Sequence, residues 1–296
     1  MEYQIKPVDI TDADVLPKVN GLLRRTFDID IGDGKLAATT QSCGRFDSLY
    51  LAAYRHDEVI GFNAFISHDL ILNGSLINCY QSCWVATSLE HRSKGIFQSI
   101  ANTATEILSS RGAAFIFCFP NGNSRPILIG KLGFREIPSL KWQVPNISIV
   151  RDLYVNKVEC SVPNLSENVI FQNGRQLVDL KRRIYGDELV YLELDDSFIW
   201  GVRRERKKYG VNLQYFEIGG VFLIEASHMK KLFRKLYQQV KNIDYFQLTT
   251  SVGSPFNKFF KRLRPARTNH LIVFDLNLNT KADLRFNFFG GVKDVF

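Results

Sequence analysis

The residues best placed to do chemistry in this chain sit where a strand gives way to a helix, in Cys83-Trp84-Val85-Ala86-Thr87-Ser88-Leu89-Glu90-His91-Arg92-Ser93-Lys94-Gly95-Ile96-Phe97. A glycine at such a turn lets backbone N–H groups come close to an anion. The helix that follows adds unpaired donors and the positive end of its dipole. Arg92 and Lys94 bring charge-assisted hydrogen bonds. Arg92, Ser93, Lys94, Gly95, Ile96 and Phe97 are therefore a candidate cradle for a pyrophosphate. The plainer reading of the same loop is a strand–turn–helix connection with solvated charges.

Two nearby groups could move protons. Ser82 shares a strand face with Tyr80 and Trp84 and could donate to a leaving group or a substrate. Glu90 could take a proton from an ammonium, directly or through water. The competing readings are an ordinary strand serine and a solvated loop carboxylate paired with Arg92. His68 and His91 read as surface histidines, and Cys83 reads as a buried strand cysteine. The five cysteines show no spacing with histidine that suits zinc, so no metal is expected.

The elements that must position these groups follow from periodicity and breakers. A strand at Tyr3–Val8 precedes a helix from about Asp14 to Phe27, capped by Asp12 or Asp14 and striped by Leu16, Val19, Leu22 and Leu23. A polar loop at Asp28–Gly34 leads to strands at Ser48–Tyr54, Val59–Ile66 and Leu76–Ala86. The glycine loop opens a helix to about Ser110, stopped by Arg111-Gly112. Ala113–Phe119 is apolar throughout, as a buried central strand is. A break at Pro120–Asn123, a short helix at Arg125–Leu132 and a strand at Phe134–Val144 complete the unit. This order is that of a mixed-sheet α/β protein.

Asn146–Glu167 reads as a connection. Beyond it the pattern echoes weakly, with a helix at Met229–Val240, a strand at Asp244–Thr250, a break, a short helix at Phe256–Leu263 and a strand at His270–Leu276. A twofold duplication is expected, with units at 1–146 and 147–296. At 296 residues, 45% hydrophobic and 12% aromatic, the chain can fill two cores. The net charge of +8 suits an anionic small molecule, a nucleic acid or an anionic surface equally. Neither a signal-peptide pattern nor a membrane-spanning stretch is visible, so a cytoplasmic protein with reduced thiols and no membrane insertion is expected.

In order and spacing, Tyr3 to Val144 resembles the GNAT superfamily of acyl-CoA N-acyltransferases. The family's Gln/Arg-x-x-Gly-x-Gly/Ala motif is matched by Arg92-x-x-Gly95-x-Phe97, with Phe97 in place of the last small residue. Downstream come Phe115–Phe119, Asn121, Ser124 and Lys131-Leu132-Gly133-Phe134. The resemblance implies a GNAT-like N-terminal domain with acyl-CoA as cosubstrate. It implies a V-shaped splay between two strands that takes the pantetheine arm, paired with the backbone of Val85. Asn121 and Ser124 would face the cofactor. Where family members carry a tyrosine as general acid, this chain has Ile129, so another donor or a water must serve.

The second half lacks an Arg-x-x-Gly signature. It reads as a degenerate GNAT-like domain that binds no CoA and walls the acceptor site, with Trp200, Arg203, Arg204 and Tyr209 as a candidate surface for base, sugar and pyrophosphate. A solvated basic helix or loop face is the plainer alternative. Two-unit members of the family resemble N-acyltransferases of nucleotide-linked amino sugars in surface polysaccharide biosynthesis, which makes a nucleotide-linked sugar the expected partner. A homo-oligomer is compatible with this reading. The competing readings are an aminoacyl transferase using charged tRNA and a basic nucleic-acid-binding or regulatory module. The intact Arg-x-x-Gly loop favours CoA, and no nucleic acid is expected.

Overall fold

The computed structural model describes residues 2–28, 32–72, 75–146, 168–171, 175–208, 210–225, 227–252, 254, 256–257, 265–278 and 285–287. In chain order the first half gives β1 (Gln4–Pro7), α1 (Val15–Phe27), α2 (Asp33–Thr39), β2 (Leu49–Arg55), β3 (Glu58–Leu72), β4 (Ser75–Thr87), α3 (Ile96–Ser110), β5 (Phe115–Cys118), α4 (Arg125–Leu132) and β6 (Arg135–Pro145). The second half gives β7 (Asn168–Phe171), α5 (Arg175–Tyr185), β8 (Leu189–Leu194), β9 (Ser197–Lys208), β10 (Val211–Phe222), α6 (His228–Gln239), β11 (Tyr245–Ser251), β12 (Ala266–Asp275) and β13 (Arg285–Asn287).

Local chemistry explains the boundaries. Asp12 accepts hydrogen bonds from the backbone N–H groups of Asp14 and Val15, tying down the start of α1. Val19, Leu22 and Leu23 then bury the apolar stripe of that helix against Phe62, Val59 and Ile66 of β3. α3 stops at Arg111, and Gly112 leaves it with φ 72°.

Four expectations are corrected. The loop expected at Asp28–Gly34 runs into α2, whose Leu36 is fully buried. β3 continues to Leu72, six residues past Ile66. The basic run Arg203–Lys208 is neither helix nor loop but the outer half of β9, paired antiparallel with β10; charged side chains hid its period. Trp84 does not share a face with Tyr80 and Ser82. Its backbone is left-handed (φ 54°), and the β3–β4 register shifts opposite it, between Phe62 and Ala64. This bulge turns Trp84 with Cys83 toward α1. Most of the short helix expected at Phe256–Leu263 lies outside the described residues.

The strands form one sheet in the order β1-β2-β3-β4-β5-β12-β6-β11-β10-β9-β8. β4 pairs parallel with β5 in the first half and β10 with β11 in the second, which also holds the short parallel pair β7–β13. Between β5 and β11 lies an exchange. β12, the last long strand of the second half, is antiparallel to β5 and to β6. β6, the last strand of the first half, is antiparallel to β12 and to β11. Outward from the β6–β12 pair the first four strands on each side repeat one pairing pattern, and β1 adds a fifth on the β12 side. Trp142 and Val144 of β6 accordingly pack in the core of α6, and the Trp142 indole N–H donates to Thr250 Oγ1 and Asn257 Oδ1.

α5 lies against the first half. Leu177, Val178 and Trp200 share a core with Leu70, Cys79 and Phe117. His68 is buried there rather than at the surface, edge-on to Phe117 at 5.3 Å. Burial, with a smaller contribution from the charge of Lys181, lowers its pKa to about 3.

Two outcomes follow. Residues 1–146 expressed alone leave β5 and β6 without β12 between them and should fail to give a cooperative thermal transition; a well-folded soluble fragment would contradict the exchange. His68 titrates near 6.5 when unfolded and near 3 when folded. The unfolded chain therefore binds the extra proton between these pH values, and stability falls as pH drops from about 6.5 toward 3, by about 1.4 kcal/mol per unit within that window. Urea titrations at pH 7 and pH 5 should show this loss, and His68→Gln should shrink it.

Candidate active site

The parallel register of β4 and β5 runs from Cys79↔Phe115 to Ser82↔Cys118. There β5 ends, while β4 continues to Thr87 along β3. The two strands part at Ser82, and the Trp84 bulge lies just beyond, with Val85 half-buried in the diverging stretch.

After β4 the chain makes a single 3₁₀ turn, Leu89–His91, held from inside. The Ser88 N–H donates to Ile60 O at 2.9 Å. His91 is 5% exposed, so it is an anchor and not the surface residue its loop position suggested. Its Nε2 lies 3.4 Å from Arg55 Nη1, and its Nδ1 lies 2.6 Å from Ser88 Oγ. A guanidinium can only donate, so Nε2 accepts and Nδ1 carries the hydrogen to Ser88. Arg92, Ser93, Lys94 and Gly95 then lie exposed on this anchored turn.

Ser93 (φ 61°) and Gly95 (φ 79°) are both left-handed. Gly95 occupies the N-cap of α3, so no side chain caps the first N–H groups of that helix. Lys94 Nζ donates to the backbone carbonyl of Glu90 at 2.6 Å. The result is a row of free helix donors with cations beside it, an arrangement suited to a polyanion. Ile96 is buried in the core, and Phe97 turns inward as a wall rather than outward to solvent.

That wall belongs to a cleft of about 280 Å³ between α3, α4 and the sheet. Its polar lining includes Ser82 and Asn63, where Ser82 Oγ donates to Asn63 Oδ1 at 3.2 Å, and Asn102, Thr105, Glu106 and Lys131. Asn63 is 1% exposed. Its signal was a lone amide inside the apolar run Gly61-Phe62-Asn63-Ala64-Phe65. Phe134, just before β6, and Phe274 of β12, rings 5.3 Å apart, both line the cleft. The second half thus supplies part of the wall.

The other candidates are placed as follows. Glu90 is exposed on the 3₁₀ turn and does not line the cleft. Asn121 Oδ1 accepts from the N–H groups of Asn123 and Ser124 and from Ser124 Oγ, so this pair builds the entry to α4. Ile129 packs half-buried on the α3–α4 core. Trp200 is 1% exposed, with its indole N–H buried and unpartnered. A Cβ on Gly219 would come within 2.2 Å of the Trp200 ring. Arg204 reaches Tyr185 OH and Glu217, whereas Arg203 alternates to the other face of β9 and donates to Lys241 O. Trp200, Arg203 and Arg204 are not gathered into one surface, and Tyr209 lies outside the described residues.

The second half carries the opposite charge at the matching helix start. There the buried His228 begins α6, bound through Nδ1 to Ser197 Oγ at 2.8 Å, with Glu225 and Asp195 carboxylates 3.6 and 3.7 Å from Nε2. Among the described residues no group of three or more His, Cys, Asp or Glu could hold a metal ion, and no helix is long and apolar enough to cross a membrane.

Comparison with known proteins bears on this geometry. Residues 11–137 match the family model of the acetyltransferase (GNAT) domain. No curated protein matches the sequence. Among solved structures, a protein of Enterococcus faecalis described as a probable N-acyltransferase aligns at a TM-score of 0.64 and 9% identity. A GCN5-related N-acetyltransferase from Anabaena variabilis aligns at 0.62 and 14%. In both cases 94% of this chain covers 74% of the other. One from Kribbella flavida aligns at 0.62 and 11%, with 93% and 72% covered. At such identities these likenesses establish the fold, and they run through both halves. Residues 11–137 are therefore similar to the acetyltransferase (GNAT) domain, and the fold as a whole is shared with these solved structures.

Proposed function

We propose that the chain moves an acyl group from acyl-CoA to the primary amine of a nucleotide-linked amino sugar, in the making of a surface polysaccharide. The observation that carries the acyl-CoA part is the junction at Ser82. The uncapped, cation-flanked start of α3 opens onto the point where β4 and β5 part, and the cleft begins there. One extended ligand with a pyrophosphate at one end and a thioester at the other fits that sequence of surfaces.

In this reading residues 1–146 bind the cosubstrate. Arg92 to Phe97 hold the pyrophosphate, the backbone of Val85 pairs with the pantetheine amides, and Asn121 and Ser124 border the arm from α4. The amine nitrogen attacks the thioester carbonyl carbon. The C–N bond forms, the C–S bond breaks, and the departing thiolate takes a proton. Ile129 has none to give. Ser82, a buried hydroxyl lining the cleft, swings its hydrogen from Asn63 Oδ1 to the thiolate and is reprotonated by the nitrogen that has attacked, so that one proton passes from amine to sulfur. Glu90, exposed on the 3₁₀ turn beside the loop, draws the proton from the incoming ammonium through water. Backbone N–H groups past the Trp84 bulge face the developing oxyanion.

Residues 147–296 contribute to the acceptor side and bind no CoA, because the carboxylates of Asp195 and Glu225 flank the start of α6, where the first half has the cationic Arg92–Lys94 loop. The net charge of +8 favours an acceptor that carries a diphosphate.

Gly95→Asp tests the loop. Its positive φ suits aspartate better than most residues, so the fold should persist at a cost of about 1 kcal/mol. The added carboxylate should abolish measurable CoA binding; unchanged affinity would remove the loop assignment. Ser82→Ala should lower kcat about 100-fold while leaving CoA affinity within about twofold, and a normal rate would strike Ser82 from the mechanism. A screen of acyl-CoAs against nucleotide-linked amino sugars, read by thiol release, tests the acceptor; turnover only with other amines would exclude the sugar.

A further inference from the structure

We infer that the free edge of the sheet at β8 and β9 pairs with a second copy of this chain. The result is a twofold dimer in which the acidic β8 of each copy lies along the basic outer half of β9 in the other. β9 has 12 residues and β8 has 6. β8 therefore covers only the first half of β9, in unbroken register from Leu194↔Ser197 to Leu189↔Val202. Arg203 to Lys208 pair with β10 on one side. On their other side, past the end of β8, no strand adjoins them among the described residues, and none adjoins the outer side of β8. The edge is thus a step whose two levels are equally long. The N–H and C=O groups along such an edge are a template for another strand. The opposite edge of the sheet is defended. β1 has only 4 residues and ends in Lys6-Pro7, and proline offers no N–H. β8 reads Leu-Val-Tyr-Leu-Glu-Leu, with no lysine, proline or register shift.

Charge selects the occupant. From Ile184 to Val202 the acids are Asp187, Glu188, Glu193, Asp195 and Asp196, with no Lys or Arg among them. All of these acids are exposed. From Arg203 to Lys208 every residue is basic except Glu205, and Arg203, Arg206 and Lys207 are exposed. A twofold axis normal to the sheet at the step sets the two β9 strands antiparallel, with both β8 strands end to end between them. Each β8 then pairs antiparallel with its own β9 and parallel with Arg203–Lys208 of the other copy. Its Glu193 end comes beside Arg206 and Lys207, and the symmetry makes this contact twice. Glu188 of each copy approaches the axis, where Arg203 of each copy offsets the repulsion. Pairing β8 directly with β8 of another copy instead sets Asp187 and Glu188 against Asp195 and Asp196 at both ends, and like charges directly opposite each other destabilise a pair.

Analytical ultracentrifugation of the full chain tests this. The wild type should sediment as a dimer. Glu193→Arg and Arg206→Glu should each raise the dimer dissociation constant about tenfold or more, because each sets like charges together. An equal mixture of the two variants should recover most of the affinity, since only the mixed dimer joins opposite charges between positions 193 and 206 at both contacts. Circular dichroism checks the fold of each variant. Should either fail to fold, Glu193→Gln and Arg206→Gln should each weaken the dimer by a smaller factor. A monomeric wild type, a dimer that no folded variant weakens, or a mixture no tighter than its parts would overturn the pairing. CoA binding plays no part in any of these outcomes, so the pairing stands or falls apart from the acyl-CoA reading.

Discussion

The antiparallel pairing of β6 with β12 is the constraint on which the rest of the molecule depends. Each strand completes the other half's sheet, so neither half can satisfy its backbone alone. The pair also sets the site. Phe134 follows from where β6 begins and Phe274 from where β12 ends, and their contact closes one side of the cleft beneath α3 and α4. The parallel pair β4–β5 can part at Ser82 because β12, on the other side of β5, keeps that short strand in the sheet.

Much of the first half was legible in the sequence. α4 was expected at Arg125–Leu132 and lies there, because Asn121-Gly-Asn-Ser124 and Gly133 mark both of its ends with turn chemistry. The phosphate-loop candidates stand together for the same reason: strand, basic loop and glycine are adjacent in the chain. What the sequence hid depends on distant partners. Asn63 and Ser82 are nineteen residues apart and meet only because β3 pairs with β4. Phe274 reaches the cleft through the exchange, which no local pattern announces. His68 and His91 looked like loop histidines, yet the first is covered by the second half and the second by Arg55 and Ser88.

Trp200 and Arg203 show the same dependence on partners. Close in sequence, they lie on a strand whose side chains alternate, so Trp200 fills the core against Gly219 while Arg203 turns to the opposite face. The two halves show how one architecture diverges by small substitutions. A glycine-and-cation helix start became an acidic one around His228. The fold tolerates both because β6 and β12 hold each half in place whatever packs beneath its helix.

The central position of β12 also has a consequence for how the chain is made. Strands normally pair with neighbours that emerge soon after them, but β5 ends at residue 118 and waits for a strand that starts at residue 266. At ribosomal speeds of about 5–20 residues per second, that wait lasts on the order of ten to thirty seconds. During it both β5 and β6 present an unpaired apolar edge. The nascent first half must therefore persist as an incomplete, adhesive intermediate until the second is nearly finished.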